Sequence, residues 1–141
     1  MRYWLVKTDP ERYSWYDLVK GKDSDGAVGV EWSWVNHGTS WKRMKMMRRN
    51  DRVFIYHITP AQRIMGVARV TREYYKAPTN NPAIDLEAIE PLVNAVNFQQ
   101  IKDEPRLQDL EMIRAKRLSV TEIDPASWTL LCSMGGIPPQ V

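Results

Sequence analysis

The apolar residues of this chain fall in short runs bounded by turn signals, and these runs do not follow one another in regular β-α-β order. That pattern disfavours a doubly wound parallel sheet and favours a mixed or antiparallel sheet flanked by small helices. Arg2 to Lys7 reads as a first strand, stopped at Thr8-Asp9-Pro10. Arg52 to Ile58 and Arg63 to about Tyr74 read as two more, joined by the hairpin-like "ITPAQR", with Gly66 as a bulge or close approach. After the loop "KAPTNNP", Ile84, Leu86 and Ala88 alternate with Asp85 and Glu87 as a half-buried strand. "RLSVTEI" is a last strand, and residues 26–35 are ambiguous, consistent with a short strand and a loop. The expected fold is therefore α+β: a mixed β-barrel of five or six strands with short helices on its flanks.

Local chemistry places those helices. In "YSWYDL", Ser14 can cap, Asp17 completes a capping box, Tyr13 and Leu18 can staple the entry, and Gly21 is expected to end the helix. A second helix, capped by Thr39 or Ser40, is expected to run to about Arg49, with Asn50 closing it in a left-handed conformation. On its wheel Trp41, Met44 and Met47 share a core-facing arc, while Lys42, Lys45 and Arg49 share a charged one. Asn97 with Gln100 repeats the capping box, and Val96 can staple to Ile101. Leu107, Leu110 and Ile113 suggest one or two further helical turns, and Asp124-Pro125 opens a closing helix that Gly135-Gly136 ends.

A chain of 141 residues can bury a real core, and one domain over residues 1–141 is the expectation. The apolar run in "MRYWLVKTDP" is too short for a signal peptide or a membrane span. Cys132 is the only cysteine, which fits a reducing cytoplasm, or the nucleus in a eukaryote. Two histidines and one cysteine, far apart, offer no zinc-type spacing, and no phosphate loop, nucleophile elbow or C-x-x-C is present; no metal or cofactor is expected. Charge is uneven. Lys42, Arg43, Lys45, Arg48, Arg49 and Arg52 surround one acid, Asp51, and leave 14 basic against 16 acidic residues of the chain's 20 and 17. All the excess positive charge thus sits in one segment, which is either a solvated helix face or a patch for an anionic partner.

Six segments, "YWLVKTDP", "YSWYDLV", "MKMMRRNDRVFIYH", "IMGVARVTREYY", "EPRLQDLEMIRAKRLSV" and "CSMGGI", resemble the EVE domain family in order and spacing, over almost the whole chain. The resemblance implies a PUA-like barrel that binds nucleic acid without catalysis and reads a modified base, chiefly modified cytosine in DNA, flipped into a pocket as in SRA and YTH domains. By that analogy the pocket draws on the first strand, the "SW" helix start, the loop around Trp32 and the strand ending Tyr56-His57. The family's W-x-G-V-R-N stands here as Trp32-Ser33-Trp34-Val35-Asn36-His37, and its Y-H-S as Tyr56-His57-Ile58. Asparagine cannot reproduce the guanidinium fork, so the ligand preference of this chain is open at that point. Trp34 would narrow the cavity, add a stacking surface or fill it.

A base reader needs flat apolar walls, fixed hydrogen-bond partners and a positive rim. Trp15, Trp32 and Trp34 are the stacking candidates, whereas Trp4, Trp41 and Trp128 are expected in the core. Lys7, Ser14, Asn36, His37, Tyr56 and His57 are the candidates for polar readout, although Ser14 already has a capping duty and His57 fits a satisfied core histidine equally well. Lys42, Lys45, Arg49, Arg117 and Ser119 are the candidates for backbone contact, the last two on one strand face. The partner expected is DNA with modified bases, or alternatively RNA. An enzyme acting on a nucleoside-like compound, with Lys7 and His57 as acid and base, is the competing class, and a protein partner for the aromatics is another.

Overall fold

A computed structural model describes residues 1–23, 30–32, 38–76 and 82–139, with only the backbone at 22, 23, 30–32, 38 and 39. Six strands form one mixed sheet: β1 (Tyr3–Thr8), β2 (Val30–Trp32), β3 (Arg52–His57), β4 (Arg63–Lys76), β5 (Pro82–Asn97) and β6 (Val120–Ile123). Their order across the sheet is β2-β5-β4-β3-β1-β6. Only the central β1–β3 pair is parallel. Its connection carries α1 (Trp15–Asp23), β2 and α2 (Gly38–Met44), as a parallel crossover requires. The barrel is open: among the described residues β2 and β6 are the edges of the sheet, and α2 packs against both β6 and β5.

Alternation along the central strands builds two cores, one on each face. Trp4, Val6, Val53 and Ile55 point to the face covered by Trp15 and Leu18 of α1 and by Met44 and Met47. Leu5, Phe54 and Tyr56 point to the other, covered by α3 (Phe98–Asp103), a 3₁₀ turn (Pro105–Leu107), α4 (Glu111–Arg114) and α5 (Pro125–Met134). There Trp128 stacks on Phe54, ring centroids 3.9 Å apart, and on Tyr3 at 4.8 Å. Trp4 and Trp128 are core residues, as expected.

Both capping boxes form. Ser14 Oγ accepts the Asp17 N–H while the Asp17 carboxylate accepts the Ser14 N–H, and Asn97 and Gln100 do the same at α3. Asp124 caps α5, which passes into Gly135, and Asn50 adopts φ 76°. Gly66 is a close approach: a Cβ there would lie 2.5 Å from the six-membered ring of Trp15 and 2.8 Å from Glu90 O.

Four expectations are corrected. Gly21 lies inside α1, which continues to Asp23. α2 starts at Gly38, ahead of the expected caps, and ends at Met44 rather than near Arg49, because the chain turns there to return Met47 to the core. Trp41, expected in the core, is 38% exposed, whereas Met44 and Met47 are fully buried. The strand expected around Ile84 runs from Pro82 through Glu90-Pro91 to Asn97, with Pro91 opposite Gly66 next to a register shift.

Candidate nucleic-acid interface

The sequence candidates do not share one chamber. β1 and β3 run parallel, with Lys7 opposite Tyr56 and Thr8 opposite His57. Pleating sends the first pair to the face of Leu5 and Phe54 and the second pair to the face of Trp4 and Ile55. The two sets meet only at the C-terminal rim of the strands. There Ile58 N–H donates to Thr8 O at 3.1 Å, and the Thr8 hydroxyl donates to Tyr13 O at 2.6 Å, bringing the start of α1 onto the rim.

His57 is a buried, satisfied histidine. Its Nε2 accepts the Trp15 N–H at 2.9 Å, which places the ring proton on Nδ1 and fills one of the four open N–H positions at the start of α1. Burial lowers its pKa, and the charge of Arg63 lowers it further. Trp15 itself is 4% exposed, its ring edge wedged against Gly66. The folded state resists protonating His57, whereas the unfolded chain takes up that proton near pH 6.5. The stability contribution is therefore complete above about pH 6.5 and declines as pH falls below it toward the folded pKa. Thermal melts of the wild type should show that decline. His57→Gln, whose amide oxygen can still accept from Trp15, should lack it; parallel pH profiles would refute this role for the imidazole.

Lys7 differs from the other strand residues. Burial pushes its ammonium below its ordinary pKa, and the Lys116 charge pushes the same way. Its Nζ donates to Lys116 O at 3.1 Å, and its own N–H donates to Ser119 O at 2.8 Å. Lys7 stands between two clefts. One, of about 340 Å³, is lined by Asp9, Arg12, Ile58, Lys116, Arg117, Leu118 and Ser119 as well as Lys7. The other, of about 330 Å³, adds Tyr56, Gln62, Phe98 and Met112. Burial pushes the Tyr56 phenol up to about 12, so it remains a neutral hydroxyl. Four cations against the single carboxylate of Asp9 make the first cleft a place for anions. Arg12, Lys116, Gln62 and Phe98 were not singled out by sequence; only the "KR" doublet beside Arg117 hinted at Lys116.

Arg117 and Ser119 precede β6 instead of sharing one of its faces, a correction that follows from the strand beginning at Val120. Ser40 of α2, fully buried, accepts the Ser119 N–H at 2.9 Å through Oγ and so ties the first turn of α2 to this cleft. The backbone candidates divide between two ends of the molecule. Lys45 and Arg49 line a cavity of about 680 Å³ with Arg2 and Arg48, at the opposite end of β1 from Arg117 and Ser119. Lys42 is exposed on α2 between them. Arg43 is withdrawn from the basic surface: its guanidinium holds Glu111 through both nitrogens, one bond at 2.6 Å. Burial acts to raise the Glu111 pKa, but the bonds from Arg43 and from the Glu122 N–H outweigh it and keep the carboxylate ionised.

Of the remaining candidates, Trp32 ends β2 with its backbone opposite Ile84. Trp34, Asn36 and His37 lie outside the described residues. Lys7 and His57 point to opposite faces, and the His57 Nε2 is already occupied, so the two do not form an acid–base pair. Among the described residues no cluster of His, Cys, Asp or Glu could hold a metal ion, and no helix is long and apolar enough to cross a membrane.

The family model for the EVE domain matches residues 2–134. No curated protein matches the chain. Among solved structures, Rpa0253 from Rhodopseudomonas palustris is 38% identical, with 96% of this chain and 94% of that one covered and a TM-score of 0.85. Human THYN1 protein, solved in complex with DNA containing 5-methylcytosine, is 16% identical, covers 99% and 100%, and has a TM-score of 0.83. The YTH domain of Zygosaccharomyces rouxii MRB1 protein, solved with N6-methyladenosine RNA, is 14% identical, covers 99% and 87%, and has a TM-score of 0.56.

Proposed function

The chain belongs to the EVE domain family, and from that premise we propose that it is a non-catalytic nucleic-acid-binding domain that captures a modified base, a modified cytosine in DNA, at the C-terminal rim of β1 and β3. The observation that carries this reading is Lys7. A half-buried ammonium crowded by Lys116, in a cleft with Arg12 and Arg117, is disfavoured, and an entering phosphate would relieve it. The complex of human THYN1 protein with 5-methylcytosine DNA supports the choice of ligand. Trp32 remains our candidate for a flat wall of the base site on the family resemblance alone. We place the protein in a reducing compartment, the cytoplasm or, in a eukaryote, the nucleus, where its single buried Cys132 stays a thiol.

The test is a binding titration with labelled oligonucleotides that carry 5-methylcytosine, on wild type and Lys7→Met. The variant should lose roughly tenfold in affinity and show a shallower dependence on salt, because one phosphate contact is gone. Its folding stability should hold or rise, since a crowded, half-buried charge is removed. Unchanged affinity in a folded Lys7→Met protein would overturn the assignment of the cleft. An RNA strand that outcompetes the matched DNA would change the substrate class.

A further inference from the structure

The cationic Lys7 cleft has a neighbour of a different kind. Lys7, Ile58 and Lys116 line both it and the second cleft of about 330 Å³, so the two adjoin along one wall. Beyond that wall the chemistry changes: Tyr56, Gln62, Phe98 and Met112 replace Asp9, Arg12 and Arg117. Phe98 is half-buried against the second core, Met112 is 1% exposed, and burial keeps the Tyr56 phenol neutral. The Lys7 ammonium has three N–H groups and gives one to Lys116 O, so two remain for ligands on either side. Gln62 is exposed, and its φ of 49° is a left-handed conformation that glycine or asparagine adopts at lower cost. Its carbonyl accepts the Phe98 N–H at 2.8 Å, and Arg63 pairs with Asn97 beside it, so the turn before β4 and the first residue of α3 are set as one unit. Strain of this kind gathers at functional sites, and the side chain it positions is an amide, which both donates and accepts. A flat ring, an apolar floor, a neutral hydroxyl and an exposed amide suit the face and edge of a nucleobase better than a second phosphate.

We propose that this second cleft is a subsite for the base next to the captured one, stacked on Phe98 and read along its edge by Gln62. The phosphate between the two nucleotides sits in the adjoining cationic cleft, with Lys7 serving both. The proposal rests on that cleft being the phosphate site, and it makes recognition depend on the nucleotide beside the modified cytosine.

The test is fluorescence anisotropy at fixed salt with labelled single-stranded oligodeoxynucleotides that carry 5-methylcytosine, on wild type, Phe98→Leu and Gln62→Gly. In one set of strands an abasic site replaces the base on one side of the modified cytosine or on the other. Wild type should lose roughly tenfold for the abasic site on one side and little for the opposite side. Phe98→Leu keeps the apolar packing without a flat face. It should bind the intact strand roughly tenfold more weakly and lose nothing further to the abasic site. In a second set that same neighbouring position carries each of the four bases. Wild type should rank them several-fold apart. Gln62→Gly should level the ranking while its melting temperature holds, since glycine adopts φ 49° without strain. A ranking retained by Gln62→Gly would remove the amide from the readout. Abasic sites tolerated on both sides by wild type, with the Lys7→Met loss still present, would overturn the base subsite and leave the phosphate cleft standing. A Lys7→Met protein that binds as wild type does would overturn both.

Discussion

Asp51→Ala should lose about 3–5 kcal/mol of folding stability in urea denaturation, the largest effect expected of any single substitution here. Asp51 is 3% exposed, and its carboxylate accepts three N–H groups: Arg2 N at 3.0 Å, Trp4 Nε1 at 3.0 Å and Arg48 N at 2.9 Å. Alanine leaves all three without an acceptor, and the Trp4 indole, with no exposed surface, has no water to replace it. The same backbone is committed as well. Asp51 O accepts Val70 N–H, and Arg52 N–H donates to Arg2 O, so the residue pins β1, β3 and β4 at one end of the parallel pair. Asp51→Asn should lose less, since one amide oxygen still accepts, but its NH₂ must face a donor. A loss under about 1 kcal/mol for the alanine variant would show that the carboxylate does not organise this end of the sheet.

Gly66→Ala is the second, at about 2–4 kcal/mol. The added methyl would sit 2.5 Å from two ring carbons of Trp15 and 2.8 Å from a backbone oxygen, and neither neighbour is the loose end of a flexible chain. Relief must come from Trp15, which begins α1 and donates its N–H to His57. The damage therefore reaches the rim at which we place the ligand. Trp15→Phe in the same chain should restore part of the stability, because the smaller ring withdraws from the methyl. The clash with Glu90 O would remain. Independent, additive effects of the two substitutions, measured as a double-mutant cycle, would contradict the contact.

What was legible in the sequence was legible where a few neighbouring residues decide the outcome. Ser14 with Asp17, Asn97 with Gln100 and Asp124 before Pro125 announce helix starts, because each side chain meets its own backbone donors. Asn50 announces a left-handed residue, which asparagine tolerates, although α2 ends at Met44 and Asn50 does not close it. Lys7 could be grouped with Tyr3 and Leu5 by alternation alone. The rest depended on partners remote in sequence. α2 stops at Met44 because the Arg48 N–H is claimed by Asp51 and Met47 by the core, and no wheel drawn over residues 40–49 contains that information. This misplaced end leaves Lys45 and Arg49 beyond the helix, in the cavity that holds Arg2 and Arg48. β5 likewise continues through Pro91 only because β4 supplies Gly66 opposite it.

The candidate site was readable as a set of residue types and not as a shape. The parallel register of β1 and β3 sends Lys7 with Tyr56 one way and His57 the other, and that register comes from a crossover of more than forty residues. Lys116 reaches Lys7 from 109 positions away, so no local pattern could join them. Burial and the Lys116 charge make Lys7 a disfavoured cation, and on that the functional reading stands.

The most direct measurement is the ratio of dissociation constants for two oligonucleotides identical except for one 5-methyl group on a central cytosine, determined at fixed salt. A reader of modified cytosine should bind the methylated strand several-fold more tightly, the preference surviving Lys7→Met while both affinities fall together. A ratio of one, with ordinary salt-dependent binding to both strands, would contradict capture of the modified base and leave only a cationic cleft that holds phosphate.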